Sequence, residues 1–128
     1  MIRNFLIDVT TSGLAKALDA AGLRHRVIAD NIANVETPGF TRSEVSFEDQ
    51  LKRAFDSTDE DSAIKRIQEA QPEARADALS PARPDGNNVS IDKEMAELTK
   101  NTLRYETLVR LLNLKGLMVR EVITEGKR

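Results

Sequence analysis

From Ser90 onward the chain reads SIDKEMAELTKNTLRYETLVRLLNLKGLMVREVITEGKR, with no proline anywhere in it. Ile91, Met95, Leu98, Thr102, Tyr105, Val109, Leu112, Gly116, Val119 and Ile123 recur in steps of four and three, which places them on one face of a helix. Ser90 stands where an N-cap belongs, Asp92 and Glu94 fall in the first turn and Arg120 near the end, all favourable to the helix dipole. The spacing predicts one helix over about 90–124, roughly 50 Å long at 1.5 Å per residue. In a chain of 128 residues, such a helix dictates the architecture.

A matching seam lies near the other end. From Ser12, read as the N-cap, Leu14, Leu18, Ala21, His25, Ile28, Ile32 and Val35 repeat at the same period and predict a helix over about 12–35, roughly 33 Å long. Two helices with one seam each satisfy one another as an antiparallel hairpin or coiled coil. The expected fold is therefore mainly α, a single domain with long N- and C-terminal helices packed as a coiled-coil-like hairpin.

The first helix stops abruptly at NIANVETPGF, residues 31–40. Thr37 precedes a proline and is biased away from helical dihedrals, while Pro38-Gly39 suits the centre of a type II turn. Asn31 and Asn34 offer amides that cap this turn locally or cross an interface. Over 36–55 the expectation is a turn, a short extended piece at Val45 and Phe47, and a short helix through Leu51, Ala54 and Phe55, with Ser46 and Asp49 spaced as a relative of the capping box. Residues 56–88 hold Pro72, Pro81 and Pro84, the acidic DSTDEDS and the turn-rich PDGNN; they read as a flexible acidic linker with one helical turn near AIKRIQEA.

Composition removes several functions. The net charge of −2 and pI near 5.5 supply no basic field for nucleic acid. Without cysteine there is no disulfide, thiolate nucleophile or Cys-based zinc site. The lone His25 lies on the first seam and reads as packed or interfacial, not as a metal ligand. DSTDEDS lacks the spaced ligands and glycine of a calcium loop, and no phosphate loop, HExxH or Ser/His/Asp set is present. The expectation is no enzyme, cofactor, metal or small-molecule substrate. MIRNFLIDVTTSG is not read as a signal peptide, and no run reaches the ~20 apolar residues of a membrane span.

The C-terminal helix carries more apolar surface than one partner can cover. Leu103, Leu108, Leu111, Leu114, Leu117, Met118 and Val122 lie off the seam and spread round the circumference. Either the short helix and linker fold over them, or other copies and other proteins do. The second alternative reads as an assembly subunit, in which Gly116 admits the close approach of a neighbouring helix.

ADNIANVETPGF at 29–40 resembles the N-terminal signature of the flagellar rod and hook axial proteins. FTRSEVSFEDQLKRAF at 40–55 and GNNVSIDKEMAELTKNTLRYETLVRLLNLKGLMVREVI at 86–123 are similar to the proximal rod type within that family. With the preceding helix these pieces cover about two thirds of the chain, in the right order. The resemblance implies a structural subunit of the periplasmic rod in the flagellar basal body, exported by the flagellar type III apparatus without a cleaved signal peptide. Its implied partners are other copies of itself, other rod proteins, and membrane-ring and rod-adaptor proteins. Asn31, Ile32, Ala33, Asn34, Thr37, Pro38, Gly39 and Phe40 are then the assembly and turn motif. Leu14, Leu18, Ile28, Ile32, Met95, Leu98, Tyr105, Val109, Leu112, Gly116 and Val119 are the helix-packing residues. The competing reading is a small cytoplasmic helical chaperone or adaptor that binds a partner helix.

Overall fold

The computed structural model of the chain describes residues 8–126. The stretch MIRNFLI, where a signal peptide was not expected, lies outside the described residues. Six elements follow in order: α1 (Val9–Ala33), β1 (Ser43–Ser46), α2 (Glu48–Phe55), α3 (Glu60–Glu69), β2 (Glu73–Ala76) and α4 (Ile91–Glu125). The expected pair of long terminal helices with an extended and turning segment between them is present.

α1 and α4 run antiparallel, as three cross-links show. Asp8 pairs with Lys115, the Asn101 amide donates to Ala21 O at 2.9 Å, and the Asn31 amide donates to Glu94 at 3.1 Å. α1 begins earlier than its apolar pattern: the N-cap is Asp8, whose carboxylate accepts from Thr11 N at 2.7 Å. Ser12 is already inside the first turn, bonding Asp8 O through its own N–H. The Val9-Thr10-Thr11 run has no helical period to announce it, so the cap alone marks the start.

The contact face of α4 is turned slightly from the expected seam. Glu94 and Asn101 are buried, and Leu98, Leu108, Val109, Leu112, Lys115 and Val119 are half-buried, whereas Met95, Tyr105, Thr102 and Gly116 are exposed. A purely hydrophobic reading passes over the two polar residues that sit deepest, and so it places the seam a fraction of a turn away. On α1, Ile28 is buried and Leu14, Leu18 and Ile32 are half-buried, whereas His25 is exposed, so of its two expected placements, packed or interfacial, it is not packed within the subunit.

Residues 56–88, expected as a linker with one helical turn, contain a ten-residue helix and a strand. Asp59 caps α3 by accepting from Ser62 N at 2.8 Å, and Ala63 and Ile67 become its buried face. β2 then pairs antiparallel with β1, Ser43 opposite Ala76 and Ser46 opposite Glu73. A four-residue strand whose only apolar side chains are two exposed alanines, EARA, gives little local signal; it is selected by its partner. Ser46 does not cap α2. The helix starts after Phe47, with no side-chain cap; Glu48 instead accepts from Phe47 N at 3.3 Å.

α2 and α3 pack on one another and α3 packs along α1, where Ala20, Phe47 and Ala70 make a small core completed by Leu51. The Phe55 ring lies on Gly13, where a Cβ would come within 2.8 Å of Cζ. These short elements cover α1. They leave the C-terminal half of α4 uncovered.

Candidate functional site

The TPGF turn is closed by hydrogen bonds of its own and then fastened to a second turn. Asn34 is the C-cap of α1, and its amide donates back to Asp30 O at 2.9 Å while its carbonyl oxygen accepts from Thr37 Oγ1 at 3.2 Å. Phe40 N bonds Thr37 O at 3.3 Å across Pro38-Gly39, with Gly39 at φ +72°, as a type II turn requires. Opposite it, Arg83-Pro84-Asp85-Gly86 turns with Gly86 at φ +82°. Gly39 N donates to Asp85 O at 2.8 Å, and a Cβ on Gly86 would stand 3.3 Å from Gly39 Cα. Both glycines thus serve for their positive φ, and Gly86 also for the close approach of the Gly39 backbone.

Asn87 completes the joint. Fully buried, it points its amide at the carbonyls of Asn34 (2.9 Å), Val35 (3.1 Å) and Thr37 (2.8 Å), and its own oxygen accepts from Val89 N at 2.7 Å. The carbonyls of the turn that follows α1 therefore share one buried side-chain amide in addition to the backbone bonds of the turn. Arg83 donates to Val35 O and Val89 O from the rim. Phe40 and the chain after it close back on the hairpin within this subunit.

Beneath the turns lies a buried charge network. Arg42 is 3% exposed; its Nε donates to Glu94 Oε1 at 2.7 Å and its Nη1 to Asp77 Oδ2 at 2.5 Å. Glu94, with no exposure, also accepts from the amide of Asn31, whose two ends grip Ser43 like a neighbouring strand: Nδ2 to Ser43 O at 2.8 Å and Ser43 N to Oδ1 at 2.9 Å. Asn88 bridges Arg42 N (2.6 Å) and Asp77 O (2.6 Å). One turn of α4, the last turn of α1 and the start of β1 are thus held in fixed relation by paired polar groups, each satisfied.

Asp77 is the anchor of the outer loop. Its carboxylate accepts from Ser80 Oγ, Leu79 N and Ser80 N as well as Arg42, and these bonds, Ser80 first and then Arg42, hold its pKa far below the ordinary carboxylate range. At the far end of the hairpin burial works against ionisation of Asp8, but the Lys115 ammonium and the Thr11 amide outweigh it and hold the pKa below its usual value.

Among the motif residues, Asn31, Asn34, Thr37, Pro38, Gly39 and Phe40 meet at this joint, while Ile32 and Ala33 belong to the last turn of α1. Arg42, Asn87, Asn88 and Glu94 are its other half; of these the sequence pointed only to Glu94, and to it for the helix dipole and not for a buried pair. The signal present was the GNN after PDG, two amides in succession at a turn, and an acidic residue in a first helical turn that faces inward. Among the described residues no group of His, Asp and Glu is placed to hold a metal, and no helix is long and apolar enough to cross a membrane. The apolar residues that stay exposed are concentrated on α4: Leu103 at 61%, Leu114 at 51%, Leu117 at 54%, Met118 at 56% and Val122 at 55%.

The region just described falls within the similarity to known proteins. The family model described as flagella basal body rod protein matches residues 8–41, that is, α1, its cap and the TPGF turn. The flagellar basal body rod protein FlgB of Bacillus subtilis is 33% identical over 135 aligned positions, which cover 95% of this chain and 98% of the relative. The chain belongs to the FlgB family. FlgB of Borrelia hermsii is 39% identical, with 73% of this chain and 80% of the relative aligned, and FlgB of Escherichia coli is 29% identical over 88% and 92%. The FlgB relatives align beyond the matched α1 and turn into the elements that complete the joint, so the likeness extends to both sides of it.

Proposed function

We propose that this chain is a structural subunit of the flagellar basal-body rod, at its proximal part, and that it carries torque from the membrane ring toward the distal rod and hook. Full-length similarity to FlgB proteins supports the rod assignment. The observation that bears on mechanism is the shape of the subunit: a stiff hairpin locked at one end by the Arg42–Glu94 network and bearing an uncovered apolar face along α4. A torque-bearing part needs fixed internal geometry, and an assembling part needs surface to bury. The proposed partners are other copies of the chain, other rod proteins, and ring and adaptor proteins. Export through the flagellar type III apparatus belongs to the same reading, and so does a periplasmic location.

The test is genetic and biochemical. A strain lacking the chain should be non-motile and recover with the full-length gene, and the protein should fractionate with detergent-resistant basal bodies. Its recovery in the soluble cytoplasm alone, bound to another helical protein, would support the adaptor reading and refute this one.

A further inference from the structure

We infer that Asp85-Gly86 is a site of spontaneous isoaspartate formation, that the closed joint suppresses the reaction, and that a chain modified there while unfolded no longer closes the joint. Nowhere else in the sequence is an aspartate or asparagine followed by glycine. Without a Cβ on Gly86 to hinder it, the Gly86 nitrogen of an unfolded chain can swing onto Asp85 Cγ. The N–Cγ bond forms, the N–H proton and a carboxyl oxygen leave as water, and a five-membered succinimide results. Water then adds to one of its two carbonyls. Breaking the N–Cγ bond restores aspartate, whereas breaking the original peptide bond leaves isoaspartate, with the backbone running through Cβ and Cγ. The water lost in the first step returns in the second, so the change is an isomerisation that needs no other reactant.

The folded joint holds both reacting groups elsewhere. Gly86 N donates to Arg83 O at 2.8 Å. Asp85 Oδ1 accepts from Asn87 N at 3.0 Å, so the carboxylate is turned to the amide two residues on and away from the next one. Arg83 Nε lies 3.7 Å from the same oxygen, and Asp85 O accepts from Gly39 N at 2.8 Å. For the Gly86 nitrogen to reach Cγ, the turn must open and Asp85 must give up these partners.

Isoaspartate does not fit the same place. It inserts one more carbon into the backbone between Asp85 Cα and Gly86 N, and it takes Asp85 O out of the main chain into a free carboxylate. The turn closed on Arg83 O, the acceptor for Gly39 N and the position of Asn87, whose amide reaches the carbonyls of Asn34, Val35 and Thr37, all depend on the normal backbone length. The tightest approach in the joint, Gly86 against the Gly39 backbone, lies at the lengthened link.

The test ages the purified full-length chain at pH 7, folded in buffer or unfolded in guanidinium chloride. Isoaspartate at position 85 is read by electron-transfer fragmentation of its peptide and by enzymatic methylation of the free carboxylate. Accumulation should be at least about tenfold slower in the folded chain, because the reaction then runs only through openings of the joint. Unfolded Gly86→Ala should accumulate at least about fivefold less than the unfolded parent, since a methyl group now stands beside the attacking nitrogen. The aged unfolded pool is then refolded and given a short protease pulse in urea that leaves the unaged chain intact. Surviving chains should hold at least about fivefold less isoaspartate at position 85 than the pool that entered. Equal accumulation in folded and unfolded chains would overturn the protection. No isoaspartate at position 85 in the unfolded parent, or as much in unfolded Gly86→Ala, would overturn the site. An unchanged share among the survivors would overturn the effect on the joint.

Discussion

Arg42 Nε donates to Glu94 Oε1 across 2.7 Å, with the two side chains 4% and 0% exposed. One residue follows the first turn and the other opens α4, so this pair joins parts of the chain 52 residues apart. Removing one partner leaves a buried charge without its counter-ion. Glu94→Ala is expected to destabilise the fold by about 3–5 kcal/mol, and Arg42→Met with Glu94→Leu by less than that single change. Urea unfolding at pH 7 of the two variants and the parent measures both.

The Asp77 carboxyl is held far below its ordinary pKa, so its contribution to stability is complete above the unfolded value of about 4 and fades as pH falls below that toward the folded value. Asp77→Asn should therefore lower stability at pH 7 and lower it less at pH 3. Denaturation curves at the two pH values check the sign; an equal loss at both would mean that the charge of Asp77 is not what matters.

Gly39 and Gly86 both have positive φ, but only Gly86 also meets backbone, at 3.3 Å from Gly39 Cα. Gly39→Ala should cost about 1–2 kcal/mol for the left-handed conformation, and Gly86→Ala more, since the Gly39 backbone must move as well. Thermal unfolding ranks the two.

Asn87→Ala strips the amide from three carbonyls in the cap and turn after α1 and the acceptor from Val89 N. A loss of about 1–3 kcal/mol is expected. Amide exchange should then quicken at Val89 and in the TPGF turn while the centre of α1 stays protected, because the lost bonds are local to the joint.

Gly116 is exposed, and a Cβ built on it meets nothing within 4 Å. Gly116→Leu should leave the isolated chain as stable as before or raise it by about 0.5–1 kcal/mol through helix propensity. If Gly116 is a point of close approach between subunits, the same variant should assemble poorly in cells. Normal motility would remove it from the interface.

The two long helices were legible because a seam repeated over ten positions in α4 is a strong periodic signal, and Ser90 is a cap that the helix uses. The turn at Pro38-Gly39 was legible for a stereochemical reason, since few residues other than glycine adopt φ near +72°. α3 was legible only as a single turn near AIKRIQEA, and β2 and the loop around Asn87 were not. Their apolar content is low, and what holds them is capping, strand pairing and side-chain amides supplied by residues far away in sequence. Glu94 and Asn101 were hidden for a related reason: a charge or amide on a helix reads as surface until its partners, Arg42 and Ala21 O, are known.

Local sequence thus determined the two long helices and the site of the turn, because propensity, period and glycine stereochemistry act between near neighbours along the chain. Only the tertiary structure decided which face of α4 packs, what the middle segment becomes and where the buried charges go. Those outcomes depend on groups tens of residues apart satisfying each other's hydrogen bonds away from water, and no periodicity within one segment records such a pairing.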